Sequence, residues 1–163
     1  MVFLTCVALV GAGSSVITSF LFLFLKQIGG SDTLLGISLV FTVVVEIPMF
    51  ANSKRLLNRF GVRNLIMSAM FCYVVGVIGY SFLANPWYVL LLEPLHGFTF
   101  GCMWLAAVYY MAEALPAKYA NTSQGLLSAC CWGIGPMVGS ICGGAVYHSY
   151  GARVMFRGAA LMM

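Results

Sequence analysis

Six apolar stretches dominate this sequence of 163 residues and restrict what the chain can fold into. The hydrocarbon core of a bilayer is about 30 Å thick, and about 20 apolar residues in a helix cross it. Because backbone groups in lipid must be hydrogen-bonded within their own segment, we expect each complete stretch to be a transmembrane helix. The predicted spans are residues 2–25, 34–50, 65–84, 87–114 and 125–147, with a truncated sixth span at 154–163.

The scarcity of charge excludes several other classes of protein. Only 7% of the residues are charged and 62% are hydrophobic, whereas soluble domains carry roughly 25% charged residues. So few charged side chains cannot cover a soluble enzyme, and the net charge of +4 is too small for a nucleic-acid-binding surface. We therefore expect one multi-pass domain, residues 1–163, embedded in the plasma membrane or another cellular membrane.

The basic residues indicate how the helices are oriented. Lys and Arg concentrate in short cytoplasmic loops of membrane proteins. The polar connection at residues 53–64 and the loop at 115–124 hold five of the eight basic residues, so we expect both on the cytoplasmic side. The five are Lys54, Arg55, Arg59, Arg63 and Lys118.

A short motif, aromatic-Gly-x-Arg, occurs twice with an offset of 90 residues. The copies are residues 60–63, between the second and third predicted spans, and residues 150–153, between the fifth and sixth. Two groups of three helices with inverted topology would bring these loops to equivalent positions on opposite faces of the membrane. Each half of a major facilitator transporter has this 3+3 arrangement.

The loop after the second span resembles the major facilitator signature Asp-Arg-x-Gly-Arg-Arg. Here Asn58 replaces the Asp, and Arg59, Gly61 and Arg63 match. The Gly-Pro-Met-Val-Gly segment at residues 135–139 is similar to a Gly-Pro-rich helix of the superfamily. Residues 91–100 and 123–128 resemble the group of major facilitator superfamily domain-containing protein 6, which is similar to the lactose permease-like oligosaccharide and nucleoside proton symporters.

The resemblance covers nearly the whole chain and implies an all-α, polytopic membrane helix bundle. The bundle would be the C-terminal half of a twelve-span protein whose N-terminal half is missing, so we expect a fragment. The implied function is secondary active transport of a small polar organic substrate by alternating access. The alternative is a cell-surface receptor, or another ligand-binding membrane protein, that uses the transporter fold without transport.

The sequence lacks the motifs of enzymes and of ATP-driven pumps. It contains neither a Gly-rich phosphate-binding loop nor a Ser-His-Asp set, and its cysteines do not have metal-ligand spacing. We therefore expect no enzymatic activity, cofactor or metal, and we expect an ion gradient, most simply of protons, as the energy source.

Glu93 and His96 are the first candidates for proton coupling. Ionisable groups within a span are costly and by default functional, and residues three apart share a helical face. Histidine also titrates near neutral pH. In the lactose permease a His is followed three residues later by a proton-carrying Glu; His96 matches that His, but Thr99 occupies the Glu position. A structural hydrogen bond between Glu93 and His96 is the alternative.

Glu46, near the cytoplasmic end of the second span, is a third candidate. It is either a proton-binding carboxylate or an interfacial residue that reaches Arg55 or Arg59 in the following loop. The sequence leaves both interpretations open.

Small and polar residues indicate the walls of a cavity and the contacts between helices. The superfamily lines its central cavity with the helices equivalent to spans one and four, although a small polar stripe also suits close helix packing. Glycines at four-residue spacing in the fifth span predict a packing face. The cavity candidates are Ser14, Ser15, Thr18, Thr99 and Trp104, and the packing candidates are Gly135, Gly139 and Gly143.

Overall fold

The computed structural model describes residues 2–161, which form helices and short connections without a β-strand in that range. Five helical stretches of this part of the chain are long and apolar enough to cross a bilayer. The chain is therefore an all-α, multi-pass membrane protein, as predicted. Residues 162 and 163 of the sixth predicted span lie outside the described range. The helices are α1 (Val2–Gln27), α2 (Asp32–Ala51), α3 (Ser53–Ser81), α4 (Val89–Ala114), α5 (Ala120–Ser128), α6 (Gly135–Tyr150) and α7 (Ala152–Leu161).

Polar side chains cap helix α2 and the short 3-10 turn, Pro86–Tyr88, that leads into α4. The Ser31 hydroxyl accepts a hydrogen bond from the Leu34 N–H at 3.2 Å and so satisfies a free donor in the first turn of α2. The Asn85 side chain accepts from the Trp87 N–H at 3.0 Å, just before α4. Both caps lie in the loops predicted on the outer side, where backbone groups leave the lipid.

The helices pack as two inverted groups of three. The first group is α1 to α3; the second is α4, the stretch from α5 to α6, and α7. Helix α1 packs against α6, and α4 packs against α2 and α3. In the two groups, α1 corresponds to α4, and α2 corresponds to α6. The α1–α6 contact in one half of the repeat is therefore equivalent to the α4–α2 contact in the other, as the 3+3 arrangement requires.

Both equivalent helix pairs approach each other closely at glycines. A Cβ atom added to Gly97 on α4 would collide with the backbone carbonyl of Thr42 on α2. A Cβ added to Gly139 on α6 would collide with the carbonyl of Ala12 on α1. Gly135 and Gly143 are also buried and face α1. All three glycines predicted as a packing face thus lie in the α1–α6 contact.

The two copies of the aromatic-Gly-x-Arg motif share one backbone conformation. Gly61 has φ 73° and ψ 161°, and Gly151 has φ 81° and ψ 170°. This region of φ and ψ is essentially restricted to glycine. At both sites the chain turns abruptly from one helix into the next, so the repeated glycine has a repeated structural cause. The polar connection at 53–64, expected as a loop, is itself helical on both sides of Gly61.

The fifth apolar stretch is not one regular helix. Residues Ala129–Ile134 form a π-helical turn between α5 and α6, and the Gly135 N–H donates to the Cys130 carbonyl five residues back. Pro136 follows directly and has no N–H to donate, so it weakens the regular helical ladder at this point. Such π turns occur frequently at functional sites.

We expect Gly139→Ala to destabilise the complete protein by about 1–3 kcal/mol, since the added methyl group overpacks the α1–α6 contact. Thermal unfolding in detergent, followed by intrinsic fluorescence, measures this as a lower melting temperature. Gly144→Ala is the matched control on the same helix, because its Cβ would lie 3.5 Å from the Phe20 ring, an ordinary contact. Equal melting temperatures for the two variants would contradict the assignment.

Candidate functional site

A cavity of about 260 Å³ lies between α1, α4 and the π-helical turn, and hydroxyl, imidazole and aromatic side chains are among its lining. Helices α1 and α4 supply all five residues predicted from the sequence to line a cavity. We call this space the central chamber. The five residues are Ser14, Ser15, Thr18, Thr99 and Trp104.

Three aromatic rings form one wall of the central chamber. Phe100 stacks on Trp104 with ring centroids 6.3 Å apart, and Trp132 contacts both, at 5.6 Å and 6.0 Å. Phe100 and Trp132 are not among the cavity residues predicted from the sequence. The signal for Trp132 is the Trp-Gly-Ile-Gly-Pro segment at residues 132–136, in which a proline distorts the helix and the π turn directs the indole into the cavity.

Three hydroxyl groups of the central chamber donate to backbone carbonyls and so face it as hydrogen-bond acceptors. Ser15 donates its proton to the Ala12 carbonyl at 2.9 Å, Thr18 to the Ser14 carbonyl at 3.2 Å, and Thr99 to the Leu95 carbonyl at 2.8 Å. Serine and threonine in helices commonly donate to the preceding turn in this way. Their oxygen lone pairs are left to accept from a bound molecule.

A second space of about 320 Å³ adjoins the central chamber. We call it the acidic chamber, because Glu46 and Glu93 both line it, together with Thr42 of α2. The two chambers share part of their walls, so a bound molecule in one contacts side chains of the other. The shared residues are Thr18, His96, Phe100 and Trp132.

Glu93 is the most enclosed charged residue of the site, with 3% of its surface exposed. Its Oε2 accepts a hydrogen bond from the Thr42 hydroxyl, and its Oε1 has no hydrogen-bond partner among the described residues. His96 lies on the same face of α4 and also lines the acidic chamber, but no hydrogen bond joins it to Glu93 in this part of the chain. The pair therefore faces a common space.

Glu46 lies on α2, one helical turn from Thr42, and is partly exposed to the acidic chamber. The alternative considered from the sequence was an ion pair with Arg55 or Arg59. Across residues 2–161 no such pair forms, and the ion pair present is Lys26–Asp32 at 2.7 Å. The carboxyl group of Glu46 is available to the chamber instead.

The loop-signature residues are exposed and line neither chamber. Asn58, Arg59, Gly61 and Arg63 lie at the face of the bundle predicted to be cytoplasmic, and the Arg59 guanidinium lies 5.7 Å from the centre of the Phe60 ring. Their polar side chains suit the boundary between membrane and water, and they do not line the central chamber or the acidic chamber.

A bundle of inverted helix triplets, with a cavity between its two first helices, is the architecture of major facilitator membrane proteins. The comparison with protein families agrees, since the model described as "MFS_1 like family" matches residues 1–158. The chain belongs to this family of the major facilitator superfamily.

Some relatives are named as major facilitator superfamily domain-containing protein 6-like proteins, and others are named as a permease or a transporter. Major facilitator superfamily domain-containing protein 6-like protein A of Xenopus laevis is 25% identical, over 96% of this chain and 26% of its own length. Maltose permease of Geobacillus stearothermophilus is 26% identical, over 85% of this chain and 36% of its own length.

The probable 3-phenylpropionic acid transporter of Escherichia coli K12 is 28% identical, over 94% of this chain and 40% of its own length. The chain thus spans about a quarter of the length of the protein 6-like relative. No solved structure matches the chain.

We expect the central chamber to be filled with water in the complete protein. In a variant without its native cysteines, Thr18→Cys should react with a membrane-impermeant thiol reagent, because thiolates form in water. Phe71→Cys is the control, since Phe71 is 70% exposed on the apolar outer surface of α3 and should not react. Mass spectrometry of the labelled protein measures both, and labelling of Phe71→Cys in preference to Thr18→Cys would contradict a water-filled chamber.

Proposed function

We propose that this chain is the six-helix half of a secondary transporter that couples substrate movement to a proton gradient by alternating access. The observation that carries the proposal is that Glu93 and His96 line a chamber whose wall continues into the central chamber. The other half of the transporter would close the opposite side of the cavity, with the substrate near the middle of the membrane.

The arrangement supports coupling because one side chain faces both spaces. His96 lines the central chamber and the acidic chamber, and Glu93 lies one helical turn away on the same face. A proton bound in the acidic chamber changes the charge of the wall that a substrate contacts. Binding of the proton and binding of the substrate therefore influence each other's affinity, as linkage requires.

The lining of the central chamber supports a small polar organic substrate. Hydroxyl oxygens and the His96 imidazole suit hydroxyl or N–H donors of a substrate, and the three aromatic rings suit an apolar face. Among the residues that the structure describes, none of the side chains that line the chamber is a Lys or Arg. Recognition of a carboxylate by a cation would then depend on the other half of the transporter.

The proposal involves transport and no enzymatic step. Its partners are the lipid bilayer, protons, the small-molecule substrate and the second six-helix half, with no cofactor. Similarity to a protein named maltose permease and to one named probable 3-phenylpropionic acid transporter supports transport as the activity.

We expect Glu93→Gln and His96→Ala to abolish accumulation driven by pH in the complete protein, since each variant removes a proton-binding group from the acidic chamber. The measurement uses membrane vesicles with an imposed inward proton gradient and a panel of labelled small polar compounds that includes maltose and 3-phenylpropionate. A protonophore should abolish the accumulation seen with the unmodified protein.

Glu113→Gln is the matched control, because Glu113 is an exposed carboxylate at the end of α4 and lines neither chamber. It should accumulate substrate like the unmodified protein. Full accumulation by both Glu93→Gln and His96→Ala would exclude these residues as the proton-coupling groups.

A further inference from the structure

Two buried polar atoms in the wall behind the acidic chamber lack partners. One is Oε1 of Glu93, and the other is the hydroxyl of Tyr80, a residue on α3 with 1% of its surface exposed. Buried polar groups are nearly always hydrogen-bonded, so each unpartnered atom requires an explanation. Because Tyr80 and Glu93 are neighbours, one hydrogen bond between these two atoms would satisfy both.

The two side chains are neighbours, although no hydrogen bond joins them in the described chain. Tyr80 and Glu93 lie close enough to interact electrostatically across the contact between α3 and α4. The Tyr80 ring is held in place by the Phe156 ring of α7, with centroids 5.9 Å apart. The tyrosine is therefore fixed beside the carboxylate from one side, while Thr42 of α2 approaches from the other.

The chemistry of a carboxylate explains why a second donor is needed. An ionised carboxylate only accepts hydrogen bonds, through both oxygens, whereas a tyrosine hydroxyl can donate. Thr42 donates to Oε2, which leaves Oε1 without a donor when Glu93 is charged. Hydrogen bonds to an ionised group are roughly twice as strong as those between neutral groups, so a donor at Oε1 favours the charged form.

We propose that Tyr80 is a positioning residue for Glu93, and that its hydroxyl donates to Oε1 whenever the carboxylate is ionised. The charged carboxylate then connects α2, α3 and α4 through Thr42 and Tyr80. Protonation weakens both hydrogen bonds together and loosens the contact of α3 with α4. The inference rests on the proposed role of Glu93 as a proton carrier and adds the means by which its protonation affects helix packing.

Other groups near Glu93 titrate as well. Glu46 of α2 and His96 of α4 line the same chamber, and α1 contributes Thr18 and apolar side chains. Tyr73 lies two turns before Tyr80 on the same face of α3, and its buried hydroxyl also lacks a partner in the described chain. Tyr73 interacts with Tyr80 but not directly with Glu93, which makes it the matched control.

Infrared difference spectroscopy of the complete protein in lipid nanodiscs tests the proposal without a substrate. The carboxylic C=O band of protonated Glu93 is identified by its loss in Glu93→Gln. In Tyr80→Phe, which keeps the ring and removes the hydroxyl, the midpoint of this band should move to higher pH by about one unit. Thr42→Val removes the donor to Oε2 and should move the midpoint in the same direction.

Tyr73→Phe should leave the midpoint where it is in the unmodified protein. An unmoved midpoint in Tyr80→Phe, an equal shift in Tyr73→Phe, or a Glu93 band that does not titrate would overturn the role of Tyr80. Unimpaired pH-driven uptake by Glu93→Gln, together with a shifted midpoint in Tyr80→Phe, would overturn only the proton-carrying role and leave the Tyr80–Glu93 pair supported.

Discussion

The cost of an unsatisfied polar group in lipid governs this structure at every level. It requires the backbone of each apolar stretch to be helical, because only a helix satisfies its N–H and C=O groups within one segment. It also requires polar side chains to turn inward or to bond to the backbone. Ser15 and Thr99 donate to carbonyls of the preceding turn, and Glu93 accepts from Thr42. The polar groups that are left unsatisfied are therefore the ones that merit a functional explanation.

Close packing and an open cavity are produced by different residues on the same helices. Gly97 of α4 lets α2 approach closely on one side, while Thr99 and Trp104 of α4 leave a cavity on another. Helix α1 likewise combines a close contact with a cavity wall. Its Ala12 contacts Gly139 of α6, and its Ser14 lines the central chamber. The inverted repeat accounts for this likeness, since α1 and α4 are the first helices of their triplets.

The sequence predicts the long apolar helices, and the residues that it proposes for a cavity wall lie along the central chamber. Glycine and hydroxyl residues at helical spacing define faces, and the faces of α1 and α4 were identified without knowledge of their neighbours. The sequence did not indicate the π-helical turn or the helical connection before Gly61, because both depend on local competition between hydrogen bonds. Trp132 and Phe100 were missed for a related reason: an aromatic residue in an apolar run suits lipid, core or cavity equally well.

The amino-acid sequence by itself determined the membrane environment, the number and extent of the apolar stretches, and the few ionisable residues inside them. These follow from local properties, namely the length and polarity of each stretch. Only the tertiary structure decided that Glu93 accepts from Thr42, that Tyr80 approaches it from α3, and that Glu46 faces the same chamber without an arginine partner. These contacts join residues far apart in the chain, and the rotation of each helix against its neighbours selects them.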